Sequence, residues 1–221
     1  MRGPPDSKTR RERLVESLKR EGYIKSAEVE RAFLAVPREE FVTEDNRGHC
    51  YADNPLPILC GQTISAPSMI AIMLEEAEIR RGMKTLEIGT GSGYNAALLA
   101  ELVGQENLLT IERYPELVEW GGGNLARTGH DKVKVIMGDG TRGYEPEAPY
   151  DLIMATAGAP RIPKSWIAQT KVGGRIVAPI GSSTFNQTLA VATRMEKEEV
   201  DIRWGTPCAF VPLVGVEGWR R

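Results

Sequence analysis

The stretch that most constrains this chain is KTLEIGTGSGYNAALLAELVG, from Lys84 to Gly104, because it changes character twice within a few residues. Leu86, Glu87 and Ile88 end a short run of strand type, and Gly89, Gly91 and Gly93 follow at alternate positions. Ala96, Leu98, Leu99, Leu102 and Val103 then recur at helical spacing. The reading is strand, tight glycine turn, helix. Glycines there accept positive φ and let a ligand approach the backbone, while the first N–H groups of the helix point at it. A nucleotide-like ligand is the expectation; an ordinary βα turn is the alternative, and the loop alone does not choose between them.

Two more acids narrow the choice. The strand-like run Leu108 to Ile111 ends in Glu112, about 20 residues past the first glycine, where a carboxylate can accept from ribose hydroxyls. Gly138-Asp139-Gly140 follows the strand-like Val133 to Met137, placing Asp139 to bond an adenine amino group, although Asp-Gly is also a plain turn signal. A dinucleotide fingerprint requires GxGxxG, whereas GTGSG runs here into Tyr94. Glu87, two residues before Gly89, suits a cationic ammonium and opposes a phosphate by like-charge repulsion. S-adenosyl-L-methionine, with its ammonium, sulfonium and ribose, fits better than NAD.

The remainder of the chain bounds the fold. Its 221 residues, 41% of them hydrophobic, suffice for one substantial core. With 28 basic and 30 acidic residues the net charge is −2, so broad attraction to nucleic acid or anionic membrane is not expected. Cys50, Cys60 and Cys208 are widely spaced and only His49 and His130 accompany them, which favours neither a metal site nor a disulfide framework. No apolar run approaches a membrane span of about 20 residues, and the charged start lacks the apolar core of a signal peptide. The expectation is a cytoplasmic monomer.

Residues 1–10 read as disordered and 11–221 as one domain, with a helical and irregular segment over 11–60. Helices are expected over Arg11 to Arg20, from the N-cap Ser26 to Pro37, and from Ser65-Ala66-Pro67 through residue 79 with a stripe of Met69, Ile70, Met73, Leu74 and Ala77. Between them, 37–59 is either a lid-like segment or a surface wrap anchored by Phe41, Val42 and Tyr51. Pro115 opens another helix, which Gly121, Gly122 and Gly123 interrupt at about 1 kcal/mol each relative to Ala, without a reason visible in the sequence. Tyr150 to Ala155 and Arg175 to Ile180 are strand-like, with a short helix around Trp166 between them. Leu189 to Arg194 and Val200 to Trp204 alternate as an antiparallel pair joined by MEKEE. The class is α/β: a doubly wound, mostly parallel Rossmann-like sheet with N-terminal helices and a C-terminal antiparallel hairpin.

GQTISAP at residues 61–67, LEIGTGSGYNAALLA, IER, GDG, APYD, TAGAP and a late FVPLVG occur in one order. This set resembles the protein-L-isoaspartate (D-aspartate) O-methyltransferases from about Tyr51 to Trp219. The resemblance implies a class I methyltransferase that moves a methyl group from S-adenosyl-L-methionine to the free α-carboxylate of L-isoaspartyl, and possibly D-aspartyl, residues in damaged peptides and proteins. S-adenosyl-L-homocysteine is released, and the ester closes to a succinimide. It also implies Ser65 as the catalytic position, with Thr63, Ile64 and Ala66 beside it on the substrate. Phe210, Val211, Pro212, Leu213 and Val214, within a substrate-lining segment 205–219, would line a peptide channel, a plain edge strand being the alternative. To Glu87, Gly89, Gly91, Gly93, Glu112 and Asp139 the resemblance adds Gln62, Thr63, Ser68, Thr90 and Ser92 as cofactor contacts. Asn95, Arg113, Gly140 and Thr156 complete that set. The family usually carries His directly after TISAP, where this chain has Ser68.

The chemistry agrees with few histidines. A carboxylate of pKa about 4 is already ionised near neutrality, so no general base is needed, only a dehydrated oxygen aligned behind the methyl group. The Thr63 and Ser65 hydroxyls and the first N–H groups of the following helix are expected to hold it. The other reading of Ser65 is a helix N-cap. Three rivals stand beside this one: a methyltransferase acting on a small molecule or transfer RNA, a dehydrogenase, and a silent binder of damaged chains. The near-neutral charge opposes RNA, and Glu87 with the absent sixth-position glycine opposes the dehydrogenase.

Overall fold

In the computed structural model, which describes residues 6–183 and 186–219, the apolar runs form a seven-stranded sheet. Two short strands come first: β1 (Leu56–Pro57) pairs antiparallel with β2 (Thr63–Ile64). The sheet comprises β3 (Thr85–Ile88), β4 (Leu108–Glu112), β5 (Lys134–Met137), β6 (Tyr150–Ala155), β7 (Thr170–Ser183), β8 (Asn186–Arg194) and β9 (Val200–Cys208). Its order is β5-β4-β3-β6-β7-β8-β9, parallel from β5 through β7 and antiparallel thereafter. Every residue of β3 and β4 is buried, as expected of parallel strands covered on both faces.

One face packs against α1 (Ser7–Arg20), α2 (Ala27–Ala35), α3 (Pro67–Glu76), α4 (Tyr94–Val103) and α5 (Pro115–Arg127); the other packs against α6 (Lys164–Gln169), centred on Trp166. Strand order reverses at β3, with β4 on one side and β6 on the other. Their C-terminal ends open a crevice there, the usual ligand position in such sheets.

The first helix begins earlier than its apolar spacing predicts. Asp6 accepts the Thr9 N–H at 2.7 Å, and this cap extends α1 back over residues 7–10, which were expected to be disordered; 1–5 lie outside the described residues. Ser26 caps α2 as expected. The irregular 37–59 segment is pinned as a wrap, with Phe41, Val42 and Tyr51 all buried. The stripe of α3 is also as read: Ile70, Met73, Leu74 and Ala77 are in the core and Met69 packs on it. The expected turn at Gly173-Gly174 is instead an irregularity inside the long β7, where pairing with β6 skips from Thr170 to Arg175.

The glycine triplet of α5 divides into one required residue and two free ones. A Cβ on Gly121 would lie 2.7 Å from the Gly91 carbonyl oxygen, so the helix crosses the glycine loop backbone to backbone. Nothing crowds Gly122 or Gly123, whose hypothetical Cβ atoms meet other atoms only at 3.8 Å. Gly122→Ala and Gly123→Ala should each therefore stabilise the fold by about 0.5–1 kcal/mol through reduced unfolded-state entropy. Chemical denaturation would show this as a raised midpoint with unchanged slope; a lowered midpoint would contradict the free space seen here.

Candidate active site

The glycine loop leaves β3 with Gly89 at φ +96°, Gly91 at +53° and Gly93 at +87°, a left-handed path that side chains oppose. A Cβ on Gly89 would come within 2.8 Å of the Thr156 hydroxyl. Thr156, just beyond β6, donates to the Gly89 carbonyl at 2.8 Å. Asn124 on α5 donates to the Ser92 carbonyl at 2.8 Å, and the Thr90 and Thr110 hydroxyls are 2.8 Å apart. The loop is thus held from β4, β6 and α5.

Two adjoining clefts open over it. The larger is lined by Gln62, Thr63, Gly89, Gly91, Ile111, Glu112, Arg113, Gly140, Thr156 and the segment Val211 to Val214. The smaller is lined by Thr63, Ile64, Ser65, Ile70, the loop from Gly89 to Ser92, Tyr94, Asn95 and Thr156. They share Thr63, Gly89, Gly91 and Thr156. The structure therefore brings most of the expected residues together, but redistributes their roles.

Glu112 faces the larger cleft, its Oε1 accepting from the Arg113 and Tyr114 N–H groups and its Oε2 from Gly91 N–H at 3.0 Å. With about four acceptor positions on a carboxylate, one remains after these three bonds. Arg113 donates to the Val214 carbonyl at 2.6 Å, tying the C-terminal segment to this edge.

Asp139 does not line the cleft. Its Oδ1 accepts from the Thr141 N–H and hydroxyl, and its Oδ2 from Val216 N–H at 2.9 Å. Burial acts to raise its pKa, yet these bonds prevail and hold the carboxyl below its ordinary range. These bonds make it an anchor of the tail, and by the same count as for Glu112 one acceptor position remains on it.

The C-terminal assignment shifts likewise. Val211, Pro212, Leu213 and Val214 wall the same cleft as Glu112, because Leu213 and Val211 bond to Gly158 just past β6. Phe210 is buried and exchanges hydrogen bonds with Gln187. It lines neither cleft.

Around Ser65 the structure changes the donor set. Ala66, not Ser65, is the N-cap of α3, and no side chain of that residue caps the helix. Pro67 has no N–H, and the Ser68 N–H is taken by Asp53 Oδ1 at 2.8 Å. Of the expected helix-end donors Pro67 thus offers none and Ser68 is occupied, and Ala66 and Ser68 line neither cleft. The hydroxyls of Thr63 and Ser65 remain, and that of Ser65 makes no hydrogen bond among the described residues.

Glu87 is the clearest correction. It was expected to meet an ammonium, but it is fully buried beneath the loop, accepting from Asn95 Nδ2 at 2.7 Å and from the Thr110 hydroxyl at 2.5 Å. Asn95 stands between it and the smaller cleft, with its Oδ1 buried and unpartnered. Sequence reading missed Asn124, Thr110, Tyr94 and Arg38. Only Asn124 left a signal, a poor helix former placed directly after the glycine triplet.

The family model for protein-L-isoaspartate (D-aspartate) O-methyltransferase matches residues 9–218. The chain belongs to this family. It is 53% identical over 212 residues to the protein-L-isoaspartate O-methyltransferase of Methanopyrus kandleri, covering 95% of this chain and 93% of that one. With the corresponding protein of Pyrococcus horikoshii it shares 51% over 208 residues, 94% of each chain. A solved protein-L-isoaspartate O-methyltransferase superposes with a TM-score of 0.86 at 32% identity, covering 94% of this chain and 67% of that one. A putative Plasmodium falciparum counterpart in complex with S-adenosyl-L-homocysteine gives 0.81 at 26% identity, covering 96% and 99%. Among the described residues no helix is long and apolar enough to cross a membrane.

In this isoaspartate methyltransferase, Glu87 makes stability depend on pH. Burial raises its pKa from 4.5 to about 7, against the lowering by its bonds to Thr110 and Asn95, and Glu112 adds a like charge. Between those values the folded protein binds more protons than the unfolded chain, so stability present below pH 4.5 is lost as pH rises through 7. Glu87→Gln should remove that loss, gaining about 2–3 kcal/mol on wild type between pH 5 and 8. Urea denaturation at both values tests it; a pH-independent difference would mean Glu87 is ionised throughout.

Proposed function

We propose that this enzyme transfers the methyl group of S-adenosyl-L-methionine to the isoaspartyl α-carboxylate across the junction where the two clefts share Thr63, Gly89, Gly91 and Thr156. That shared lining is the observation that carries the reading: one cleft offers Glu112 and the glycine loop to a nucleoside, and the other presents the Thr63 and Ser65 hydroxyls. The residues fit the cofactor. The left-handed glycines form a cradle, Glu112 has an acceptor left for ribose, and the unpartnered Asn95 Oδ1, on the smaller cleft beyond the junction, can accept a hydrogen bond from the ammonium.

Bound S-adenosyl-L-methionine supplies an electrophilic methyl group. Thr63 and Ser65 donate to the substrate carboxylate, holding one oxygen toward the junction, while Ile64 and Ile70 exclude water. The carboxylate enters ionised and leaves as a neutral ester, so no side chain has to move a proton. Val211 to Val214 close over the nucleoside and form the rim past which the peptide enters. Action as a cytoplasmic monomer on peptides rather than nucleic acid belongs to the same proposal, and the net charge of −2 supports it.

The test is transfer of labelled methyl to two peptides identical except for one isoaspartyl or one normal aspartyl linkage. Base-labile label on the isoaspartyl peptide alone is expected. Label on neither, with S-adenosyl-L-homocysteine still bound, would reopen the acceptor, and Ser68→His would be the first substitution to make.

A further inference from the structure

Arg38 is the charged side chain that the fold uses in the least expected way. It is completely buried, donating from Nε to the Cys50 carbonyl and from Nη2 to the Ser65 carbonyl, each at 2.8 Å. Among the described residues its Nη1 has no hydrogen-bond partner and no carboxylate lies within ion-pair distance of it; the side chain that interacts with the guanidinium is the buried, neutral Tyr94 hydroxyl. The guanidinium carbon stands 4.8 Å from the ring centroid of Tyr94. Asp53 is the carboxylate whose charge it feels, but Asp53 is exposed and committed to the Ser68 N–H. A guanidinium stays protonated even when buried, so a full positive charge sits in the interior with no counterion among the described residues.

Such a charge is ordinarily paired, because leaving it alone in the interior is expensive. Two of its neighbours, Ser65 and Tyr94, line the smaller cleft. We infer that the missing counterion is the isoaspartyl α-carboxylate, and that Arg38 is a positioning residue that selects an anion in the Ser65 recess without touching it. The inference rests on the assignment of that recess to the acceptor.

The sign of the effect follows from the reaction. A methyl carbon leaves sulfur with the bonding pair returning to sulfur, and a carboxylate oxygen forms the new bond, so an anion and a cation become a neutral ester and a neutral thioether. A fixed positive charge therefore stabilises the bound carboxylate more than the transition state, in which that charge is vanishing. Arg38 should lower KM and slightly lower kcat, so its loss raises KM more than it raises kcat.

The test compares wild type, Arg38→Gln and Arg38→Lys. For each, kcat and KM are measured with an isoaspartyl peptide, and inhibition by the same peptide carrying an α-carboxamide in place of the carboxylate. Wild type should prefer the carboxylate about tenfold or more. In Arg38→Gln, KM should rise about tenfold while kcat and the carboxamide inhibition constant change less than about threefold; Arg38→Lys should keep the preference. Equal weakening of both peptides, or a fall in kcat at constant KM, would reduce Arg38 to a prop for the Ser65 carbonyl and overturn the inference. If Arg38→Gln fails to bind S-adenosyl-L-homocysteine, and so has not folded, Arg38→Lys decides alone: a kept preference supports the inference and a lost one overturns it. A wild type that leaves the isoaspartyl peptide unmethylated defeats the acceptor assignment itself, and the inference falls with it.

Discussion

Replacing Ser65 by alanine is expected to lower kcat/KM for an isoaspartyl peptide by about 100-fold, the scale of losing a group that aligns the reacting oxygen. Affinity for S-adenosyl-L-homocysteine and thermal stability should stay close to wild type. The second half of that expectation comes from the structure. Had Ser65 capped α3, its loss would cost about 1 kcal/mol and disturb the helix that borders the site. Ala66 occupies the cap position instead, and the Ser65 hydroxyl has no protein partner among the described residues. Its removal leaves the folded protein intact and the substrate carboxylate short of one donor. Calorimetric titration of S-adenosyl-L-homocysteine beside steady-state kinetics checks both halves. Parallel losses in cofactor affinity and rate would mean that the hydroxyl supports the loop, not the acceptor.

Gly121→Ala should be the most damaging single-methyl substitution in α5. The added carbon would sit 2.7 Å from the Gly91 carbonyl oxygen and 3.1 Å from Thr90 Cγ2. The first of these is main chain and cannot rotate away. Either α5 or the glycine loop must retreat, and the loop floors both clefts. The same helix anchors the loop through Asn124, so the displacement also strains the Asn124 to Ser92 hydrogen bond. A loss of about 2–3 kcal/mol in stability is expected, within the range for overpacking, with at least tenfold weaker S-adenosyl-L-homocysteine binding. Measured beside Gly122→Ala and Gly123→Ala, the contrast is internal: one position of three should lose stability while its neighbours gain. Three equal responses would show that the crossing is not close-packed.

Much of this architecture is legible in the residue pattern itself. The alternation of Gly89, Gly91 and Gly93 between a strand run and a helical run records a local backbone requirement, positive φ, which composition alone can display. The apolar runs at β4 and β6, the stripe of α3 and the N-cap Ser26 are likewise local, each set by periodicity or by one side chain bonding its own turn. The start of α1 was misplaced because its decisive feature, the Asp6 cap, is a single residue in a charged stretch that lacks an apolar period.

The acids at the strand ends show where such reading stops. Glu87, Glu112 and Asp139 look alike in the sequence, each ending or following a strand. Only the fold distinguishes them: Glu87 is sealed under the loop by Asn95 and Thr110, Glu112 faces the cleft, and Asp139 is consumed by Thr141 and Val216. Apart from Thr141, two residues from Asp139, the partners that make those differences lie 8 to 77 residues away, which no local pattern encodes. Arg38 is the extreme case, an ordinary arginine in PREEF whose burial behind Ser65 depends on a chain path closed 27 residues later. Residue type and spacing along this chain determined the strand–loop–helix unit, the sheet class and the kind of cofactor, because those follow from backbone conformation and periodicity. Which carboxylate meets the ligand, which glycine is indispensable and where an unpaired charge lies were decided by tertiary packing, because each depends on what a side chain is deprived of, water or a counterion, once distant segments close around it.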